Sequence, residues 1–247
     1  MRLRTWLVGV FVAGFLVASG PAFASPFQVT VQPIRICNDG GTNCANPSKI
    51  LFEAEGDKMW AQAGIDLLFL PWNTLNNTAY QNLQVGLGGP GTEYNNLWTN
   101  AVSNGGSAQT TVLNVWFADL LDNSLGFYGV TNFLGGRQIA IGWQAVAAYN
   151  SPIGRIDTIA HEIGHSLGLI HTVGDPADNL MTQGGPRTPA LTIGDVNPDG
   201  LKLDKLTAAQ IAIADASPYA VPVPEPATLS LVGLGLAGLL RRARKRR

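Results

Sequence analysis

Apolar and polar residues alternate over residues 27–36, with Phe27, Val29, Val31 and Ile34 set against Gln28, Thr30 and Gln32. A period of two predicts a strand. After a short loop, Ser48 can cap a helix over 47–63, with Ile50, Leu51, Ala54, Met59 and Ala63 on its apolar side. A brief apolar run predicts a buried strand over 66–70. Residues 73–109 are rich in Asn, Gly and Thr and lack periodicity, so long loops are expected there, with a short helix near 94–102. Val112, Leu113, Val115, Trp116 and Phe117 predict a strand over 111–120. Residues 126–132 and Gly135-Gly136 read as loop. Over 137–142, Arg137, Ile139 and Ile141 alternate with Gln138, Ala140 and Gly142, which predicts another strand. Ile156, Ile159, Ala160, Ile163 and Leu167 form the buried stripe of a helix over 155–167. A last helix, over 205–214, is capped at Thr207. Strands and a helix come first and helices dominate the end, an α+β order.

The two ends carry patterns of a different kind. Basic Met1-Arg2-Leu3-Arg4 precedes a short apolar run, and Ala22-Phe23-Ala24 stands before Ser25. That is the build of a secretory signal peptide cut after Ala24, with an N-terminal membrane anchor as the other reading. At the far end, Val221-Pro222-Val223-Pro224-Glu225-Pro226 is a stiff spacer. An uncharged apolar run of fourteen residues, 227–240, follows, and six positive charges close the chain from Arg241 to Arg247. A stable span needs about 20 apolar residues, so this run touches the inner membrane at least transiently, with its basic end on the cytoplasmic side. Signal, body and tail divide at 1–24, 25–219 and 220–247.

Composition sharpens the picture of the body. It keeps eight Lys and Arg against sixteen Asp and Glu, a net charge of about −8. Such a surface argues against binding nucleic acid or an anionic membrane. The two cysteines, Cys37 and Cys44, flank a Gly- and Asn-rich loop. In an exported protein they read as a structural disulfide rather than as metal ligands or a redox pair.

The tail resembles the bacterial PEP-CTERM sorting signal: a Pro-Glu-Pro triplet, a short apolar helix and a terminal Arg cluster, in that order. The resemblance implies a Gram-negative-type envelope and an exosortase-like enzyme that recognises and removes the tail. The protein would then be exported through the inner membrane and end up periplasmic, at the cell surface or outside. A plain C-terminal membrane anchor is the competing reading.

The chemistry concentrates in His161-Glu162-Ile163-Gly164-His165-Ser166-Leu167-Gly168-Leu169-Ile170-His171, which holds all three histidines of the chain. His161 and His165 are four apart and so lie one turn apart on one helix face, where two imidazoles can share a metal. Glu162 is turned by about 100° from His161, within reach of a water beside that metal. On a continuing helix His171 would point away, so the helix must end first, and Gly168 is the residue that ends it at little cost. Three histidines and one open position make a catalytic zinc site. A closed structural zinc and three metal-free core histidines are the alternatives.

These eleven residues resemble the metzincin signature, H-E-x-x-H-x-x-G-x-x-H. The resemblance implies a zincin domain with a twisted mixed sheet, an active-site helix and a C-terminal helix. It implies one catalytic zinc on His161, His165 and His171, and hydrolysis of peptide bonds by zinc-activated water with Glu162 as general base and acid. Met181 resembles the family's Met-turn, with an ordinary core methionine as the bland reading. The strand of Arg137, Gln138, Ile139, Ala140 and Ile141 is similar to the family's edge strand, which pairs with an extended peptide or protein substrate. Gln183 stands two residues after Met181, so an astacin-like tyrosine ligand is not expected. A metzincin-fold envelope or matrix protein that binds with little or no turnover is the competing function. Finally, Asp195, Asn197 and Asp199 have the spacing of the first half of a calcium loop, but Leu206 stands where its closing Glu belongs. An Asx- and Gly-rich turn explains the same residues.

Overall fold

The computed structural model describes residues 26–46, 51–86, 92–172, 174 and 177–223. The expected signal peptide, the apolar run 227–240 and the start of the predicted helix at 47–50 lie outside these residues. Among the described residues no helix is long and apolar enough to cross a membrane. The compact unit is Ser25–Val223.

Its frame is a twisted mixed sheet. The first strand, β1 (Phe27–Cys37), is the hub. It pairs in parallel with β2 (Ile65–Phe69) and, further along, with β3 (Asn73–Asn76). On its other side it pairs in parallel with β5 (Val112–Ala118). β5 pairs in parallel with β8 (Gln138–Gly142), and β7 (Gly129–Thr131) closes that end antiparallel to β8. A small second sheet joins β4 (Asn82–Leu83) to β6 (Leu120–Leu121). The last strand, β9 (Val221–Pro222), pairs antiparallel with Phe27 and Gln28. The chain's body thus ends where it began, and the described fold reaches into the proline-rich spacer.

The period of two sorts the side chains onto two faces. Val29, Val31, Leu113, Val115, Phe117, Ile139 and Ile141 lie on one face, in one apolar cluster with Met59, Trp60, Ile159 and Ile163. Ile34, Ile36, Trp116 and Ala140 lie on the other, in a second cluster with Tyr94 and Leu97. Helices α1 (Glu53–Trp60) and α4 (Thr158–Ser166) therefore cover the first face, and α2 (Thr92–Thr99) covers the second. A short α3 (Trp143–Ala148) follows β8 directly, where the sequence showed no separate element. The C-terminal helix α5 (Ala208–Asp215) starts at Thr207, whose hydroxyl accepts the Gln210 N–H while the Gln210 side chain accepts the Thr207 N–H. That reciprocal pair is a capping box. Cys37 and Cys44 are joined in a disulfide that ties the end of β1 to its loop.

One expectation is corrected here. Arg137, Gln138, Ile139, Ala140 and Ile141 do not form an edge. β8 lies between β5 and β7, and all its residues are buried. The Arg137 guanidinium turns to the backbone carbonyls of Ser107 and Gln109, at 3.1 and 2.6 Å. The outer strand is β7, three residues inside the segment that read as loop. A strand this short has no room to display a period.

Candidate metal centre

Helix α4 carries His161, Glu162 and His165, and its end sets the path to His171. Gly168 has φ +98°, the left-handed region that suits a residue without Cβ. Its N–H donates to the His165 carbonyl at 3.1 Å, and the Leu169 N–H donates to the Gly164 carbonyl at 2.9 Å. These two bonds are the Schellman ending of a helix. They turn the chain so that His171 comes back over the helix face. The ring nitrogens meet there: Nε2 of His171 is 3.1 Å from Nε2 of His161 and 3.0 Å from Nε2 of His165.

The proton inventory of this cluster fits a metal. His161 Nδ1 lies 2.7 Å from the Leu180 carbonyl, and His165 Nδ1 lies 2.7 Å from the Leu169 carbonyl. A carbonyl only accepts, so each Nδ1 carries the proton and each Nε2 presents a lone pair. Both lone pairs face Nε2 of His171, which can supply one proton at most. One contact is repulsive unless a cation sits among the three. A tetrahedral zinc with nitrogens at about 2.0–2.1 Å places neighbouring nitrogens about 3.3 Å apart, close to these separations. Burial lowers the pKa of all three imidazoles, foremost that of His161, where the Arg187 charge adds to the effect. Neutral imidazole is the form that ligates. Among the described residues, these histidines are the group of three or more His, Cys, Asp or Glu whose ligand atoms converge.

Glu162 faces β7. The Thr131 hydroxyl is 2.8 Å from Glu162 Oε2 and 3.0 Å from the Glu162 carbonyl oxygen. A Cβ on Gly129 would stand 2.8 Å from Glu162 Cγ and 2.9 Å from Oε1, so the strand is bare at the point where the carboxylate lies against it. Burial pushes the Glu162 carboxyl up to about 7, against the downward pull of the Thr131 hydroxyl and the Arg187 and Arg155 charges. A carboxylate near that value can both take and return a proton at neutral pH.

Met181 is fully buried under the cluster. A Cβ on Gly164, the residue directly before His165, would stand 2.4 Å from Met181 Sδ, so the sulfur occupies the space this glycine leaves on the helix. The loop around Met181 is pinned from several sides. The Thr172 N–H donates to the Met181 carbonyl at 3.3 Å, the Met181 N–H to Asn179 Oδ1 at 2.8 Å, and the Leu180 N–H to the Lys205 carbonyl at 2.9 Å.

A cleft of about 910 Å³ opens over the cluster. Its lining includes Glu162 and the three histidines on one side and Gly129, Val130 and Thr131 on the other. Phe133, Leu134 and Ile170, all more than half exposed, stand at its rim. Thr131, Gly129 and Arg187 escaped the sequence reading. Gly129 and Thr131 sit in the strand too short to show a pattern. Arg187 is a lone basic residue in a Gly- and Pro-rich stretch, and its only signal is that the body has so few cations.

The calcium reading finds no support. Asp195 Oδ2 accepts from the Thr192 N–H and hydroxyl, at 3.2 and 2.8 Å, in the capping box of a short 3₁₀ turn. Asn197 Nδ2 donates to Gln62 Oε1 at 2.8 Å, and Asp199 pairs with Lys58 at 3.0 Å. Each side chain is spent on a different partner, and the spacing serves a turn.

No curated protein sequence matches the chain. Among solved structures, metalloproteinase-II from Bacteroides fragilis is similar over 77% of this chain, with 16% identity and a TM-score of 0.47. The match covers 53% of that protein, so the chain spans about half its length. Archaemetzincin from Archaeoglobus fulgidus, solved with malonate, is similar over 75% of this chain and 99% of its own, with 14% identity and a TM-score of 0.40. At the C-terminal end of the sequence, residues 222–247 match the PEP-CTERM protein-sorting motif, and the tail carries that sorting signal.

Proposed function

We propose that this chain is an exported zinc metalloendopeptidase of the metzincin type. Residues 25–219 are its catalytic body, between a signal peptide and a sorting tail that an exosortase recognises. The observation that carries this reading is the convergence of three neutral imidazole Nε2 atoms beside one buried carboxylate, in a cleft bordered by a sheet edge.

His161, His165 and His171 would hold the zinc. When bound, zinc supplies Lewis acidity, which acidifies water and polarises a carbonyl. The chain's own residues do the rest. Thr131 donates its hydroxyl proton to Glu162 Oε2, which leaves Oε1 to take a proton from the attacking water. Glu162 then returns that proton to the leaving amine nitrogen. Substrate adds as a further strand on β7, the outer strand of the sheet beside Glu162. That role passes to Gly129, Val130 and Thr131 from the residues of β8.

The test is peptide cleavage by purified protein, read by mass spectrometry on a diverse peptide mixture. The native chain should cut, lose activity to a chelator and regain it with zinc. Glu162→Ala should bind one zinc and cut about 10²–10⁴-fold more slowly. Native-level cleavage by Glu162→Ala would falsify the assignment of Glu162. Silence from both proteins with one zinc bound per chain would favour an envelope protein that binds without turnover.

A further inference from the structure

His161 and His165 each direct Nε2 by donating Nδ1–H to a backbone carbonyl, yet the two acceptors are secured differently. The acceptor for His165 is Leu169, whose own N–H is bonded back to Gly164 within the Schellman turn. It is fixed by the helix that carries the histidine. The acceptor for His161 is Leu180, nineteen residues away in an irregular loop. A loop carbonyl can tilt, and a tilt there would swing the imidazole.

Arg187 meets that carbonyl. Its side chain is 3% exposed, and its Nη2 pairs with Asp157 Oδ2 at 2.6 Å. Its Nη1 and the His161 Nδ1 are both donors that share the Leu180 carbonyl oxygen, an acceptor with two lone pairs, and so they stand against one another. Asp157 has a fully buried side chain and directly precedes α4, and its own carbonyl accepts the His161 N–H at 2.9 Å. The second oxygen of Asp157 pairs with Arg155 Nε at 3.1 Å, and the Arg155 guanidinium stacks over the Tyr128 ring at 4.5 Å. The planar fork of Arg187 thus spans from the start of the histidine helix to the acceptor that aims its first histidine.

We propose that Asp157 and Arg187 are positioning residues for the metal centre: they fix the Leu180 carbonyl and, through it, the direction of His161 Nε2. This rests on the zinc reading given above. Buried ion pairs contribute little net stability, because desolvation offsets their attraction. What this pair adds is geometry, since the partner of a ligand's second nitrogen sets the ring's orientation and basicity. Lysine could supply the charge, but it could not bridge a carboxylate and a carbonyl with one rigid group.

The experiment compares the full chain with Arg187→Met, Arg187→Lys and Arg155→Met. Zinc affinity is measured against a competing chelator, and the visible spectrum of the cobalt(II)-substituted protein reports ligand geometry. Arg187→Met should bind zinc about 10–100-fold more weakly and shift the cobalt bands. Arg187→Lys should recover only part of the loss. Arg155→Met also strips a partner from Asp157 but touches neither Leu180 nor His161. It should lower the melting temperature and keep native zinc affinity and cobalt spectrum. If Arg187→Met fails to fold, Arg187→Lys and Asp157→Asn take its place in the same comparison. Native zinc affinity and spectrum in the Arg187 variants, with a melting loss like that of Arg155→Met, would overturn the proposal and leave a plain ion pair. A native chain that binds neither zinc nor cobalt would overturn the metal reading itself, a result separable from the first.

Discussion

Helix α4 with its closing turn and the loop through Met181 meet beneath the same three histidines, but they are held by different means. The helix and turn are secured by bonds between near neighbours: Gly168 to His165, Leu169 to Gly164, His165 to Leu169. The loop is secured from far along the chain. Leu180 hangs on Lys205, Asn179 exchanges two side-chain hydrogen bonds with Gln210, and Asp178 pairs with Lys205. One half of the centre is therefore built by local sequence, and the other by whatever α5 and the segment that leads into it bring to it. Damage to the first should stay local. Damage to the second should travel.

The sharpest way to break this division is at the contact between the halves. Met181→Ala removes a fully buried side chain from beneath Gly164 and should cost about 2–5 kcal/mol of stability, read by chemical denaturation. Gly164→Ala puts a methyl where Met181 Sδ sits and should cost about 1–3 kcal/mol through overpacking. The double variant should be less damaged than the sum, because each change makes room for the other. Additive losses would mean that the halves do not touch in solution as described.

Next in size is the anchor of the loop. Asn179 is buried, accepts from the Met181 N–H at 2.8 Å and from Gln210 Nε2 at 3.1 Å, and donates to Gln210 Oε1 at 2.9 Å. Asn179→Ala leaves these groups unsatisfied, at about 1–3 kcal/mol. Zinc affinity should fall with stability, since Leu180 follows Asn179 directly. An equal stability loss with native zinc affinity would show that the loop can loosen without disturbing His161. The local counterpart is Gly168→Ala. A Cβ at φ +98° costs about 1–2 kcal/mol, and Gly168→Asn should cost less, in thermal melts of the two variants.

The same division explains what the sequence could reveal. The histidine spacing, the helix, the turn at Gly168 and the capped helix at Thr207 are local facts, written in residues within a turn or two of each other. The disulfide is local as well, seven residues from end to end. The pairing of Asp157 with Arg187 joins residues thirty apart, one at the start of α4 and the other in a Gly- and Pro-rich stretch without a period. The edge of the sheet was misplaced for a related reason. Gln138 to Ile141 show their alternation, but whether another strand lies beyond them depends on Gly129, Val130 and Thr131. Only the fold discloses that pairing.

The loop half also carries a dependence on pH of its own, through Asp204. Asp204 is fully buried next to Lys205, whose carbonyl holds Leu180, and among the described residues its carboxylate accepts only the Ala190 N–H, at 3.2 Å. Burial, and after it the Asp157 charge, raise its pKa to about 7, while Arg187, Ala190 and Arg155 pull the other way. In the unfolded chain the group titrates near its ordinary value of 3.8. Between that value and about 7 the folded protein keeps a proton that the unfolded chain has given up. Stability from this group must therefore fall as pH rises through that window, and level off above it. Asp204→Asn keeps the shape and removes the titration. The melting temperature of the variant, measured without zinc, should gain on the native protein as pH goes from acid to neutral and run parallel to it above neutrality. Parallel curves throughout would mean that Asp204 stays ionised beside Arg187, so that the buried cations below the histidines are matched by two full negative charges rather than one.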